Sequence, residues 1–227
     1  MGLNNENAQL LIFDIETAPL EDAEQYLEPA EAPAHYKNPE TIERYLREKE
    51  AEQLARCALD LDLCRIVTIA VQAEDSQQTQ VGTVEHGSEA ALLEWFWERA
   101  LDRHLVGFNI LGFDLPVLLR RSLYLGVSAP QVVLDKYRHP GITDLALMLS
   151  HNGQHKMRSL GFYCKRFGVT VEDAVSGADI PRLVQAGLWA EVIAHCRADV
   201  GKTVALGQAM RLIRPSVGPQ AGSLLKH

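Results

Sequence analysis

Hydrophobic and polar positions along the chain follow two rhythms, one of strands and one of helices. Leu10–Thr17 places four apolar residues directly before Asp14, with Ile15 between Asp14 and Glu16. That pattern predicts a strand whose alternate side chains share a face, so Asp14 and Glu16 point into one site. The β-branched run Cys64–Gln72 predicts a central strand, Gln80–Glu85 a shorter one, and His104–Asn109 a fourth. Helical periodicity begins at Asn38-Pro39, a cap followed by proline at the first helical position, and covers Glu40–Leu59 with Ile42, Tyr45 and Leu46 on one face. Ser88–Leu101 turns Leu92, Leu93, Phe96 and Trp97 inward, and Phe113–Leu125 opens on Asp114 and Pro116. Further helices are expected over 144–149, 156–167, 178–186 and 190–211, with Pro215 and Gly218 ending ordered structure. Residues 18–38, rich in Glu, Ala and Pro, read as a loop or a partly ordered insertion. The succession strand, strand, strand, helix, strand, helix implies an α/β fold, a mixed sheet covered by helices. Without repeats or a clear linker, the expectation is one domain over 1–227 with an acidic helical insertion at about 18–60.

Composition narrows this picture. With 227 residues and 47% hydrophobic content, the chain supports one substantial core. No apolar run approaches the roughly 18 residues of a membrane span. The start, MGLNNENAQ, has neither a basic region nor an apolar core of the secretory kind, so a cytoplasmic protein is expected. Cys57, Cys64, Cys164 and Cys196 form no Cys-x-x-Cys pair and read as buried thiols of a reducing compartment.

Net charge is −8, which argues against a polyanionic partner until its distribution is considered. Residues 1–60 hold 14 Asp/Glu against 5 Lys/Arg, and the remainder is near neutral. Within 120–168, Arg120, Arg121, Lys136, Arg138, Lys156, Arg158, Lys165 and Arg166 face only Asp135 and Asp144. Such a stretch fits either a local footprint for nucleic acid or an ordinary basic surface.

Two carboxylates on one strand face repel each other, and a hard divalent cation with oxygen ligands relieves that repulsion. A strand end running into a polar turn at Pro19 is the plainer alternative. Near the other end of the chain, His195 and Asp199 are i,i+4 on a helix and project together. Asp199 sits in the apolar frame Val192, Ile193, Val200 and Val204, where an unpaired aspartate is costly. His195 alone also fits an ordinary core or surface histidine.

Taken together, Phe13-Asp14-Ile15-Glu16-Thr17, Asn109 with Phe113-Asp114-Leu115-Pro116, and His195-Cys196-Arg197-Ala198-Asp199-Val200 resemble the three motifs of the DEDD superfamily of 3′–5′ exonucleases. The likeness is nearest to the stand-alone, polymerase-B-like exonucleases and runs from Leu10 to about Leu212. It implies an RNase H-like fold. The polymerase-like branch carries tyrosine four residues before the last aspartate, and the other branch carries histidine five before it. His195 brings the histidine chemistry to the tyrosine spacing.

The resemblance also implies a site. Two Mg²⁺ or Mn²⁺ ions roughly 4 Å apart would be held by Asp14, Glu16, Asp114 and Asp199, with Asp14 bridging. They would activate the water that attacks the terminal phosphodiester and stabilise the departing 3′ oxygen. His195 would take the water's proton or orient the water. Thr17, Asn109 and Phe113 are implied substrate contacts, while Lys156 and Arg158 are candidate phosphate contacts from their charge alone. The expected partner is the 3′ end of a single-stranded nucleic acid, with DNA favoured over RNA on the subfamily likeness. An RNA-directed exonuclease of the same superfamily and a non-catalytic binding module are the competing readings.

Overall fold

The computed structural model describes residues 8–135 and 138–214. Pro215, Gly218, Lys136 and most of the first nine residues, all of which enter the expectations from sequence, lie outside them. Among the described residues no helix is long and apolar enough to cross a membrane.

The strand-forming runs build one five-stranded sheet: β1 (Leu10–Pro19), β2 (Cys64–Ala73), β3 (Gln80–Thr83), β4 (His104–Gly107) and β5 (Ile142–Asp144), in the order β3-β2-β1-β4-β5. β1 is central, antiparallel to β2 and parallel to β4, and β5 adds in parallel at the edge. The register of β1 with β2 shifts between Glu16 and Thr17, leaving Val67 as an extra residue on β2. Such a bulge re-aims side chains where pairing would otherwise continue.

Helices cover both faces. α2 (Glu89–Ala100) and α3 (Asp114–Leu125) pack on the face carrying Leu11, Phe13, Ile15 and Ile69. The opposite face, with Ile12, Ala70 and Val106, is closed by α4 (Leu145–Leu149), α5 (Leu160–Phe167) and α7 (Trp189–Ala209). α6 (Ile180–Gln185) packs with Val192 of α7 against Ala18 and Val67. The remaining helix, α1 (Pro39–Cys57), follows a short 3-10 turn at Ala23–Tyr26 and is tied to β1 by the Thr17 hydroxyl, which donates to the Ala58 carbonyl at 2.6 Å.

Local chemistry explains the boundaries. The Asn38 side chain caps α1, Ser88 caps α2, and Ser159 caps α5 by accepting the Phe162 N–H. That last cap corrects the expected helix over 156–167: Lys156 to Ser159 run outside any helix, because the Ser159 side chain takes the free Phe162 N–H and starts the first turn at Leu160. β5 has no counterpart among the expected strands, since three residues carry no readable alternation. The four cysteines are free and buried.

Candidate active site

β1, α3 and α7 each deliver carboxylates to one place. On β1, Asp14 and Glu16 share the face turned to α7, as strand alternation requires, and their carboxylates lie within 4.8 Å of the Cys196 thiol and of each other. α7 meets the sheet through Val192, His195, Cys196, Val200 and Thr203, spaced at helical intervals, so the same face brings His195 and Asp199 to the site.

Asp114 arrives by a more indirect route. β4 ends at Gly107, where a Cβ would meet the Phe13 carbonyl at 3.1 Å and Ile110 at 2.2 Å. The chain then turns through Asn109 in the left-handed region (φ 62°). Asp144, at the end of β5, fixes this turn by accepting the N–H groups of Asn109 and Leu111 at 2.9 and 3.0 Å while capping α4 through Ala146 and Leu147. β4 pairs with β1 only up to Ile12, so further along β1 the Ile15 N–H is left to donate to the Asp114 carboxylate.

Electrostatics divide the site in two. Burial, then repulsion from Glu16, Asp114 and Asp199, raises the Asp14 carboxyl well above the usual range. Burial, then Asp199, Asp114 and Asp173, does the same to Glu16. Asp114 is pushed up to about 7 by burial, against the opposing hydrogen bonds of its own N–H and that of Ile15. Among the described residues, no Lys or Arg lies within ion-pair distance of Asp14, Glu16 or Asp114. The other half carries its own cation. Lys202 Nζ bridges Asp173 Oδ2 and Asp199 Oδ1, the latter at 2.7 Å, and His195 Nδ1 lies 2.8 Å from the same Asp173 oxygen. Burial pushes Asp173 up, but hydrogen bonds from Lys202 and His195 outweigh it and hold that carboxyl below its ordinary value.

The donor set suits hard divalent cations: oxygen ligands only on the strand and α3, short of countercharge, with carboxyls that burial and mutual repulsion make costly to ionise unless a cation joins them. The Asp173, His195 and Asp199 ligand atoms also lie within 4.8 Å of one another.

Residues 58–221, well over half of the chain, match the model of a family described as predicted 3′–5′ exonucleases related to the exonuclease domain of PolB. The chain belongs to this PolB-related exonuclease family. The matched span holds Asp114, His195 and Asp199 but begins after β1. Asp14 and Glu16 lie outside the matched span, on the central strand β1 beside α7. Among solved structures, the family B DNA polymerase from the hyperthermophilic archaeon Pyrobaculum calidifontis shares the fold, with a TM-score of 0.61 and 19% identity over 90% of this chain. The chain spans 24% of that polymerase's length. The mixed sheet with helices on both faces is thus RNase H-like. No curated protein matches in sequence.

The other expected contacts of this exonuclease-family chain are scattered. Thr17 is buried and its hydroxyl is engaged with Ala58. Asn109 lies over Gly112 in the turn, and Phe113 precedes α3 with its ring packed on the core. Lys156 and Arg158 are exposed before α5, Arg158 stacking 5.3 Å over the Phe162 ring. The described residues of the basic stretch do not all share one surface: Arg121 is buried in a two-point ion pair with Glu89, and Arg120 pairs with Asp62. Sequence reasoning misses Asp173, Lys202 and the anchoring role of Asp144. Lys202 stands i+3 from Asp199, a helical spacing that pairs charges and is open to reading. Asp173 lies in a coil with no periodicity to mark it.

Proposed function

We propose that this chain is a metal-dependent 3′–5′ exonuclease that removes nucleotides from the 3′ end of single-stranded DNA. One observation carries the reading: Asp14, Glu16, Asp114 and Asp199 converge from three elements, and among the described residues no Lys or Arg stands within ion-pair distance of the first three. The matched family supports the reaction class, and the fold shared with a DNA polymerase favours DNA over RNA. The 227 residues act as one domain with residues 18–60 as an acidic insertion, and four free buried thiols suit a reducing, cytoplasmic setting.

Asp14, Glu16, Asp114 and Asp199 would hold two Mg²⁺ or Mn²⁺ ions, which when bound supply Lewis-acid charge for the attack on phosphorus and for the leaving oxygen. The chain's own residues do the rest. His195, 5% exposed and with Nε2 3.6 Å from Glu16 Oε1, accepts the proton of the attacking water. By the family likeness Thr17, Asn109 and Phe113 contact the substrate, Thr17 other than through its hydroxyl, which is engaged with Ala58, and Lys156 and Arg158 hold phosphates further along the strand.

Digestion of 5′-labelled single-stranded DNA and RNA oligonucleotides, with Mn²⁺ and with chelator, tests this. A ladder shortening from the 3′ end of DNA, lost with chelator, is the expected result. Faster digestion of RNA would move the substrate to the competing exoribonuclease reading, and no digestion of either would favour a binding module.

A further inference from the structure

We propose that Asp173 is a positioning residue for this reaction: it holds the ring proton of His195 on Nδ1, so that Nε2 meets the carboxylate cluster with a free lone pair. The inference rests on the reading of His195 as proton acceptor. It adds a residue that lies outside the four carboxylates and, being in coil, outside any helical or strand pattern.

Three features of the geometry carry it. First, Asp173 Oδ2 accepts from the Lys202 ammonium, which has only protons to offer. An oxygen so engaged has none to give, so the proton in its 2.8 Å contact with His195 belongs to Nδ1. Second, the arrangement is fixed. Val175 N–H holds the other Asp173 oxygen at 3.1 Å, and the side chains of His195 and Asp173 are only 6% and 8% exposed. Third, the other nitrogen is kept open. Nε2 is 3.6 Å from Glu16, beyond hydrogen-bond reach, and the position a Cβ would take at Gly177 is 3.7 Å from it. A larger side chain at 177 would stand over the nitrogen.

This also accounts for a histidine at the tyrosine spacing. A phenol has one polar atom and no tautomer to choose. An imidazole must be told which nitrogen carries the proton, and a fixed carboxylate on the far nitrogen does so. During the reaction a water O–H bond breaks and its proton passes to Nε2. The new P–O bond forms as the bond to the 3′ oxygen breaks, and that oxygen takes a proton from solvent. The Nδ1 proton stays with Asp173, whose charge meets that of the imidazolium.

The test is ¹⁵N NMR of histidine-labelled, Mg²⁺-saturated protein at pH 8, with the His195 ring assigned by through-bond correlation. The expected signature is a protonated Nδ1 and an unprotonated Nε2, with Asp173→Asn moving the proton towards Nε2. In kinetics, Asp173→Asn should lower kcat at least about 10-fold, within the range a general base supplies, and leave KM and apparent metal affinity within about threefold. A proton on Nε2, on both nitrogens or shared between tautomers in the wild type overturns the proposal. So does an unchanged kcat in a folded Asp173→Asn, or a loss of metal affinity that accounts for the whole effect. If wild type cuts no oligonucleotide, the exonuclease reading fails on its own, while the ring-proton measurement still decides what Asp173 does to His195.

Discussion

The two halves of the site treat buried charge in opposite ways. Asp14, Glu16 and Asp114 are packed together and, among the described residues, no Lys or Arg stands within ion-pair distance of them, so the folded chain resists ionising them. Asp173 and Asp199 share the Lys202 ammonium, a cation that the fold itself supplies. Unpaired buried charge opposes folding, whereas a bridged pair is destabilising mainly when one partner is removed. On the proposed reading, the first half awaits an outside cation at the expense of stability. The second half is built to keep a geometry.

The sharpest way to break this contrast is to neutralise the first half. Asp14→Asn or Asp114→Asn should lower kcat at least about a thousandfold, through loss of metal ligands, yet leave apo melting temperature equal or higher because repulsion is relieved. A variant that keeps near-wild-type digestion removes its carboxylate from the metal site.

Next in size is the response to ions and pH. Saturation at 100 times Kd should stabilise the fold by about 2.7 kcal/mol. Without metal, the raised carboxyls mean that the folded state binds more protons than the unfolded one from about their ordinary values, 3.8 and 4.5, up to at least the value of about 7 for Asp114. Their contribution to apo stability must then fall as pH rises through that window. Asp173 has the reverse sign: its stabilising effect is present above 3.8 and is lost only as pH falls below it. Thermal melts at pH 5.5 and 8, with chelator and with Mg²⁺, should show higher apo stability at pH 5.5 and a metal gain that grows towards pH 8. A metal gain larger at pH 5.5 would sink the assignment of the first half.

Removing the built-in cation probes the second half. Lys202→Met should cost roughly 1–3 kcal/mol of apo stability, part of it restored by Mg²⁺, as read from urea unfolding with and without the ion. An unchanged midpoint would mean that Lys202 is an ordinary surface side chain. The smallest effect is expected at Lys156 and Arg158, which are exposed. Reversing both to Glu should flatten the salt dependence of single-strand binding by about 1.4, near 0.7 for each phosphate that the chain no longer neutralises. An unchanged slope, measured by fluorescence anisotropy, would return both residues to plain surface.

Part of each half is legible in the chain. Period-two alternation puts Asp14 and Glu16 on one face, and an i,i+4 spacing puts His195 with Asp199. Serine and asparagine caps mark the starts of α1 and α2. The rest depends on long-range folding. Asp173 approaches His195 across 22 residues of sequence from a coil without periodicity, held by contacts that only the folded chain brings together. The start of α5 misleads because Lys156 and Arg158 suit a helix as well as a loop, and only the Ser159 cap decides between them. β5, at three residues, draws its conformation from pairing with β4 rather than from its own composition.

The single carboxylate of Asp144 grips four N–H groups from two separate segments at the outermost strand of the sheet. An edge strand is where a sheet frays first, at free energies well below global unfolding. Releasing that grip frees the turn at Asn109 and, with it, the aim of Asp114, while Leu11, Phe13 and the core around them remain packed. The catalytic lifetime of the molecule on warming is therefore set at its rim: heat should silence the enzyme some degrees before it melts.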